Sequence, residues 1–254
     1  MEQIKAIDAL SREDILSPEE REGIAYLSSL GVDINFIYIN TDPLLQAIMR
    51  AEYLDDKTHV YLSIFQLSIP SLKIIDVAKR IKTMKRLFHK NIQTYFFMLE
   101  SRYHANGVME LWSLLKAKKQ PEDVIWEVFS DVWVRNDFVM KSIPMWVLDD
   151  LFLINTNKST QQEELKRLVN SDVVTIYRGE HCKSSQVEDG ALSWTLDKEM
   201  AEWFATRFDF PEQRLIQVTI PINEVVAFLS TSEKEVIYRW DGKRDIVIEE
   251  LEDN

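Results

Sequence analysis

The chain has 254 residues, 46% of them hydrophobic, which is enough for one large packed domain or two modest ones. Glycine and proline are few and aromatic residues plentiful, which argues against a long disordered or low-complexity stretch. The formal charge of -12 repels nucleic-acid phosphates in a whole-molecule picture, and the single cysteine, Cys182, excludes an internal disulfide framework and any multi-cysteine metal site.

The N-terminal MEQIKAIDALSRED lacks the basic start and apolar run of a secretory signal. No segment approaches the ~20 uninterrupted apolar residues of a membrane span. The expected setting is cytoplasmic, with no membrane contact, although export without a cleaved signal would leave the same pattern.

From residue 1 to about 158 the pattern predicts helix after helix. Ser17-Pro18-Glu19-Glu20 reads as a capping box with proline at the first helical position, and Gly31 ends that helix. Residues 32 to 39, VDINFIYI, alternate and carry β-branched side chains, so they read as a short strand, the exception in this half. Asp42-Pro43 opens another helix with Leu44, Leu45, Ile48 and Met49 as its apolar stripe. Ser71 caps a longer one through IIDVAKRIKTMKRLF, and Gly107 separates TYFFMLESRYHAN from VMELWSLLKAKK. Pro121 and Pro144 open two more.

Within that half, Lys79, Arg80, Lys82, Lys85, Arg86 and Lys90 occur with no acid among them. Because Ile81, Met84, Leu87 and Phe88 recur at helical spacing, the run reads as the solvated face of an amphipathic helix, with a polyanion-binding face as the alternative. Trp112, Trp126, Trp133, Trp146 and the later Trp203 fall in helical segments beside apolar neighbours, which predicts core packing.

After the polar NTNKSTQQ the texture changes. Thr160 caps a helix, QQEELKRLV, and then VVTIYRG, ALSWTL, RLIQVTIPI, VVAFLS, EVIYRW and DIVIEEL read as strands around one amphipathic helix, DKEMAEWFATRF. The predicted architecture is α+β: a helical region over 1–158 followed by a β-rich domain over 159–254.

Several chemistries drop out. There is no GxSxG, HExxH, P-loop or GxGxxG, and His59, His89, His104 and His181 are not at metal-ligand spacing, so no metal is expected. His181 beside Cys182 looks like a nucleophile pair, but adjacent residues on an extended chain point to opposite faces.

What remains is an ordered series: Tyr177-Arg178-Gly179 ending one strand, Ser193-Trp194-Thr195 in the next, a helix with Ala201, Phe204 and Ala205, then Glu233-Lys234-Glu235 opening a late strand. Over about residues 160–254 this series resembles the ADP-ribosyltransferase superfamily, in the arginine, S-x-[ST], E-x-E branch of cholera-type and iota-type toxins. Trp194 departs from the small polar residue frequent in the middle of S-x-T, and the loop from Arg178 to Ser193 is short. The resemblance implies two packed antiparallel or mixed sheets, NAD as co-substrate, and a macromolecular acceptor, either protein or nucleic acid.

The residue types suit cleavage of a nicotinamide–ribose bond through an oxocarbenium-like transition state. Arg178 offers the pyrophosphate a permanent, forked cation, and Gly179 lets backbone approach the ligand. Glu235 faces the developing positive charge and holds a ribose hydroxyl. Ser193 orients Glu235, Thr195 supports the nicotinamide pocket, and Trp194 takes the other strand face. Glu233, two residues before Glu235 on the same strand face, prepares the acceptor. In the resembled family E-x-E accompanies arginine acceptors, while an acid there could equally bind a nucleobase amino group. The expectation is a toxin-like or phage-defence mono-ADP-ribosyltransferase whose helical half binds the target, a neutralising protein, or both. The competing readings are the same catalysis on RNA or DNA bases and an inactive adaptor.

Overall fold

The computed structural model describes residues 3–12, 14–43, 46, 49–67, 72–135, 142–181, 191–208, 212–229 and 231–251. They form a mixed α+β protein with two antiparallel sheets. The chain divides into two compact units: residues 1–120 with 131–147, and residues 121–130 with 148–254.

The first unit is not the helical array the sequence predicts. It contains a four-stranded sheet in the order β1 (Gln3–Lys5), β2 (Ile37–Asn40), β3 (Ala51–Asp55), β4 (Val60–Ile64). Strands β3 and β4 are buried along almost their whole length. A strand covered on both faces has no apolar–polar alternation to betray it. Their hairpin is closed by Asp55, whose carboxylate accepts from the backbone N–H groups of Lys57 (3.1 Å) and Thr58 (3.2 Å). His59 completes it in the left-handed region at φ 56°.

Around the sheet are helices α1 (Ala6–Ala9), α2 (Pro18–Ser29), α3 (Leu72–Lys90), α4 (Ile92–Met98) and α5 (His104–Lys116). The Ser17–Glu20 capping box forms in both directions, and Gly31 takes φ 83° just past the end of α2. The proposed Ser71 cap lies outside the described residues, as do Leu44, Leu45 and Ile48 of the Asp42-Pro43 helix. Gly107 does not separate two helices. It sits inside α5, where a Cβ would meet the Phe96 ring at 2.7 Å, so close helix packing accounts for it.

Helices α6 (Glu122–Val134) and α7 (Met145–Leu153) follow. Trp126 and Trp133 are core residues as predicted, whereas Trp146 and Trp203 are each 52% exposed. In the second unit α8 (Lys158–Val169) starts two residues before Thr160, with Asn157 at the cap position.

All six predicted C-terminal strands form. They make one ladder, β10 (Ile246–Leu251), β7 (Gln213–Pro221), β5 (Val173–His181), β6 (Ser193–Thr195), β9 (Glu235–Ile237), β8 (Ala227–Leu229). The expected pair of packed sheets in this unit is therefore a single sheet with a weak seam. Strands β5 and β7 pair over nine positions, yet β5 and β6 share one register pair, Tyr177 with Thr195. Val174, Ile176, Ile216, Val218, Trp194 and Val236 pack with Leu165 of α8 in one core. Helix α9 (Lys198–Thr206) lies over β5 through Ala201 and Ala205.

Candidate functional site

The seam between β5 and β6 collects the predicted residues. Glu235 opens β9 opposite Thr195 on one side and Leu229 on the other, and is 6% exposed. Ser193 opens β6, exposed, and its hydroxyl donates to Glu235 Oε1 at 2.5 Å. Arg178 reaches across the seam from β5, and its Nη1 donates to the Ser193 carbonyl at 2.8 Å. A guanidinium, a serine and a carboxylate from three neighbouring strands thus form one connected chain.

The two flanking predicted residues are used differently. Thr195 Oγ1 donates to the Glu233 carbonyl at 2.6 Å and accepts from the Asp197 N–H at 3.0 Å, so its hydroxyl braces backbone. Glu233 does not share a strand face with Glu235. Lys234 between them is left-handed at φ 47°, and Glu233 belongs to the turn before β9, which breaks the two-residue alternation. Lys234 points its ammonium at Asp197, which caps α9 by accepting from the Met200 N–H. The turn carrying the E-x-E sequence is therefore tied to both β6 and the start of α9.

Gly179 has a packing reason for its missing side chain. A Cβ there would sit 2.1 Å from the Ala201 carbonyl oxygen and 2.6 Å from the Ala205 nitrogen, both backbone atoms of α9. The helix, rather than a ligand, occupies that space. Trp194 takes the opposite strand face as predicted, but buried: it is 2% exposed, packs near Tyr238 and Trp240, and donates from Nε1 to the Tyr238 carbonyl at 3.1 Å.

Two residues the sequence reading missed set the electrostatics. Glu180, 6% exposed, accepts from Arg178 Nε at 2.7 Å and from Arg214 Nη2 at 2.7 Å, and Arg214 is 1% exposed. Glu180 and Arg214 are register partners on β5 and β7. Burial by itself pushes the Glu180 carboxyl up, but the charges and hydrogen bonds of Arg178 and Arg214 outweigh it, and the net shift is below the usual glutamate value. Glu180 thus bridges the two guanidiniums and helps hold Arg178 against the Ser193 carbonyl. The available signals were Arg178-x-Glu180 at strand period and a cation leading the apolar run of β7.

His181, at the end of β5, is held below its ordinary pKa by burial and by the Arg207 charge. Cys182, the other half of the candidate nucleophile pair, lies outside the described residues. Among the described residues no group of three or more His, Cys, Asp or Glu is placed to hold a metal ion, and no helix is long and apolar enough to cross a membrane. A shallow depression of about 500 Å³ lined by Gln217, Thr219, Lys243, Arg244 and Val247 lies on β7 and toward β10 and includes none of the predicted site residues.

No family model matches the chain, and neither a curated protein nor a solved structure matches it.

Proposed function

We propose that residues 159–254 act as a mono-ADP-ribosyltransferase that cleaves the nicotinamide–ribose bond of NAD and transfers ADP-ribose to a macromolecular acceptor. The observation that carries the reading is the Ser193–Glu235 hydrogen bond, with Arg178 bound to the same serine's carbonyl. A carboxylate fixed by a neighbouring hydroxyl is preorganised to stabilise positive charge that appears only in the transition state.

In the proposed reaction the bond from the ribose C1′ to the nicotinamide nitrogen breaks, and its electron pair leaves on nicotinamide, which becomes neutral. Glu235 stabilises the oxocarbenium ion that results. An acceptor nitrogen or oxygen then bonds to C1′ and gives up its proton. Glu233, in the turn before β9, offers a carboxylate on the acceptor side to take that proton, and Arg178 with Glu180 and Arg214 behind it holds the pyrophosphate. Residues 1–158 serve as the acceptor-binding or neutraliser-binding part. Deployment as a toxin-like or phage-defence effector in the cytoplasm follows by analogy with how such domains are used.

The test is incubation of the full chain with labelled NAD and a cell lysate, with nicotinamide release and label incorporation followed together. Wild-type protein should release nicotinamide, and Glu235→Gln should release it about 10²–10³ times more slowly. Label removed by protease identifies a protein acceptor, and label removed by nuclease identifies RNA or DNA. No release and no label from wild-type protein would leave the inactive-adaptor reading standing.

A further inference from the structure

Of the six cations between residues 79 and 90, the fold neutralises two. Arg80 pairs with Glu100 at 3.2 Å, and Lys85 pairs with Asp55 at 3.4 Å. Lys79, Lys82, Arg86 and Lys90 are exposed, and none is paired with an acid among the described residues. At 3.6 residues per turn these four fall within an arc of roughly 80° and run about 16 Å along the helix axis. The arc lies opposite the buried stripe of Ile74, Val77, Ile81, Met84 and Phe88. His89 is exposed at one margin of the row, and the exposed Asp76 flanks its N-terminal end.

A merely solvated helix face normally interleaves the two signs, because acid–base pairs four apart stabilise it. Here Lys82, Arg86 and Lys90 stand at successive intervals of four, each such like-charge pair costing about 0.2–0.5 kcal/mol. They do so in a chain with 42 acids and 30 bases, where acids to interleave are abundant. The row also lacks an exposed aromatic or large apolar anchor: Leu87 is only partly exposed and Phe88 is buried. Protein interfaces concentrate their binding energy on such anchors.

We propose that the exposed face of α3 is a docking surface for the phosphodiester backbone of a nucleic acid. A straight row of four cations without hydrophobic anchors matches a linear, regularly charged polymer that needs no base-specific contact. The overall charge of -12 does not forbid this, since screening confines each charge to a range of about 8–10 Å near physiological salt. The proposal stands apart from the NAD reading, because binding is measured without turnover.

The experiment is fluorescence anisotropy of the full chain with a labelled 20-nucleotide single-stranded RNA and a 20-base-pair DNA duplex, between about 50 and 200 mM salt. Four duplex contacts predict affinity falling ~100-fold across that range, and the single strand somewhat less. Lys82→Glu with Arg86→Glu should weaken binding at least 10-fold and flatten the log–log salt slope by about 2 for the duplex. Lys57→Glu with Lys119→Glu changes net charge equally on exposed residues elsewhere and should leave both unchanged. If the Glu pair misfolds by circular dichroism, Lys82→Gln with Arg86→Gln removes the charges alone and should still flatten the slope. The proposal is overturned if wild-type protein binds neither probe at the lowest salt, if the control pair weakens binding as much, or if the chain binds polyglutamate and not nucleic acid.

Discussion

The Ser193 hydroxyl donates to Glu235 Oε1 at 2.5 Å while the Ser193 carbonyl accepts from Arg178, so one serine couples a buried carboxylate to a guanidinium two strands away. Ser193 is exposed and Glu235 is not. Any ligand reaching the carboxylate meets the serine as well, and the two should act as a unit.

That coupling is measurable in a double-mutant cycle on nicotinamide release. Glu235→Gln should lower kcat by about 10²–10³, the scale of losing one preorganised electrostatic group. Ser193→Ala should cost about 10-fold, by loosening the carboxylate. In the Glu235→Gln background, Ser193→Ala should then cost little more, because what it positioned is gone. Additive losses would refute the positioning role.

The order of the six C-terminal strand segments was legible because β5 to β10 are set off by turns and carry β-branched apolar runs. The sheet of the first unit was not, because β3 and β4 are buried on both faces and give no alternation. Arg178, Ser193 and Glu235 could be picked out only through the resemblance of their ordered motifs to a known family, and they do come together. Glu180 and Arg214 could not be joined from sequence, since their partnership depends on the β5–β7 register. The Glu233 geometry was misread for a local reason: a left-handed Lys234 interrupts the strand period at the position the inference relied on.

Glu180 should dominate the acid stability of the second unit. Its carboxyl is held below the ordinary glutamate value by Arg178 and Arg214 against the opposing effect of burial. A depressed folded-state pKa means the unfolded chain binds the proton first as pH falls, so this stabilisation is complete above the unfolded pKa. It is lost as pH drops through the folded one. The urea midpoint of the wild-type protein should therefore fall as pH drops below about 5. Glu180→Gln should remove that part of the pH dependence. Glu180→Ala should cost about 3–5 kcal/mol at neutral pH by removing the buried carboxylate that both Arg178 and Arg214 bind.

Gly179→Ala tests whether glycine is needed for the helix. The added Cβ meets two backbone atoms of α9, at 2.1 and 2.6 Å, and backbone cannot swing aside as a side-chain end can. The expected loss is about 1–3 kcal/mol, read as a lower urea midpoint with unchanged slope. Gly31→Ala is the informative contrast: nothing lies within 4 Å of its Cβ, so only the strain of φ 83° is felt, about 1 kcal/mol.

Arg50 plays the corresponding part in the first unit. It is 9% exposed and donates to Glu20 through Nε at 2.5 Å and Nη2 at 3.0 Å, while Nη1 reaches the Asn40 carbonyl and Nη2 the Ile15 carbonyl. Glu20 is also the acid of the α2 capping box, so this guanidinium joins a helix start, the segment before it and the end of β2. Burial alone raises the Glu20 carboxyl, but its bonds to Arg50 and to the Ser17 N–H lower it overall, keeping it charged at neutral pH. Arg50→Met fills similar volume but strands that carboxylate and two carbonyls, and should cost about 3–5 kcal/mol in urea unfolding at neutral pH. Adding Glu20→Gln to Arg50→Met should recover part of that loss, because the amide removes the stranded charge while still accepting from Ser17. A double variant no more stable than Arg50→Met would show that the loss comes from the carbonyl contacts instead.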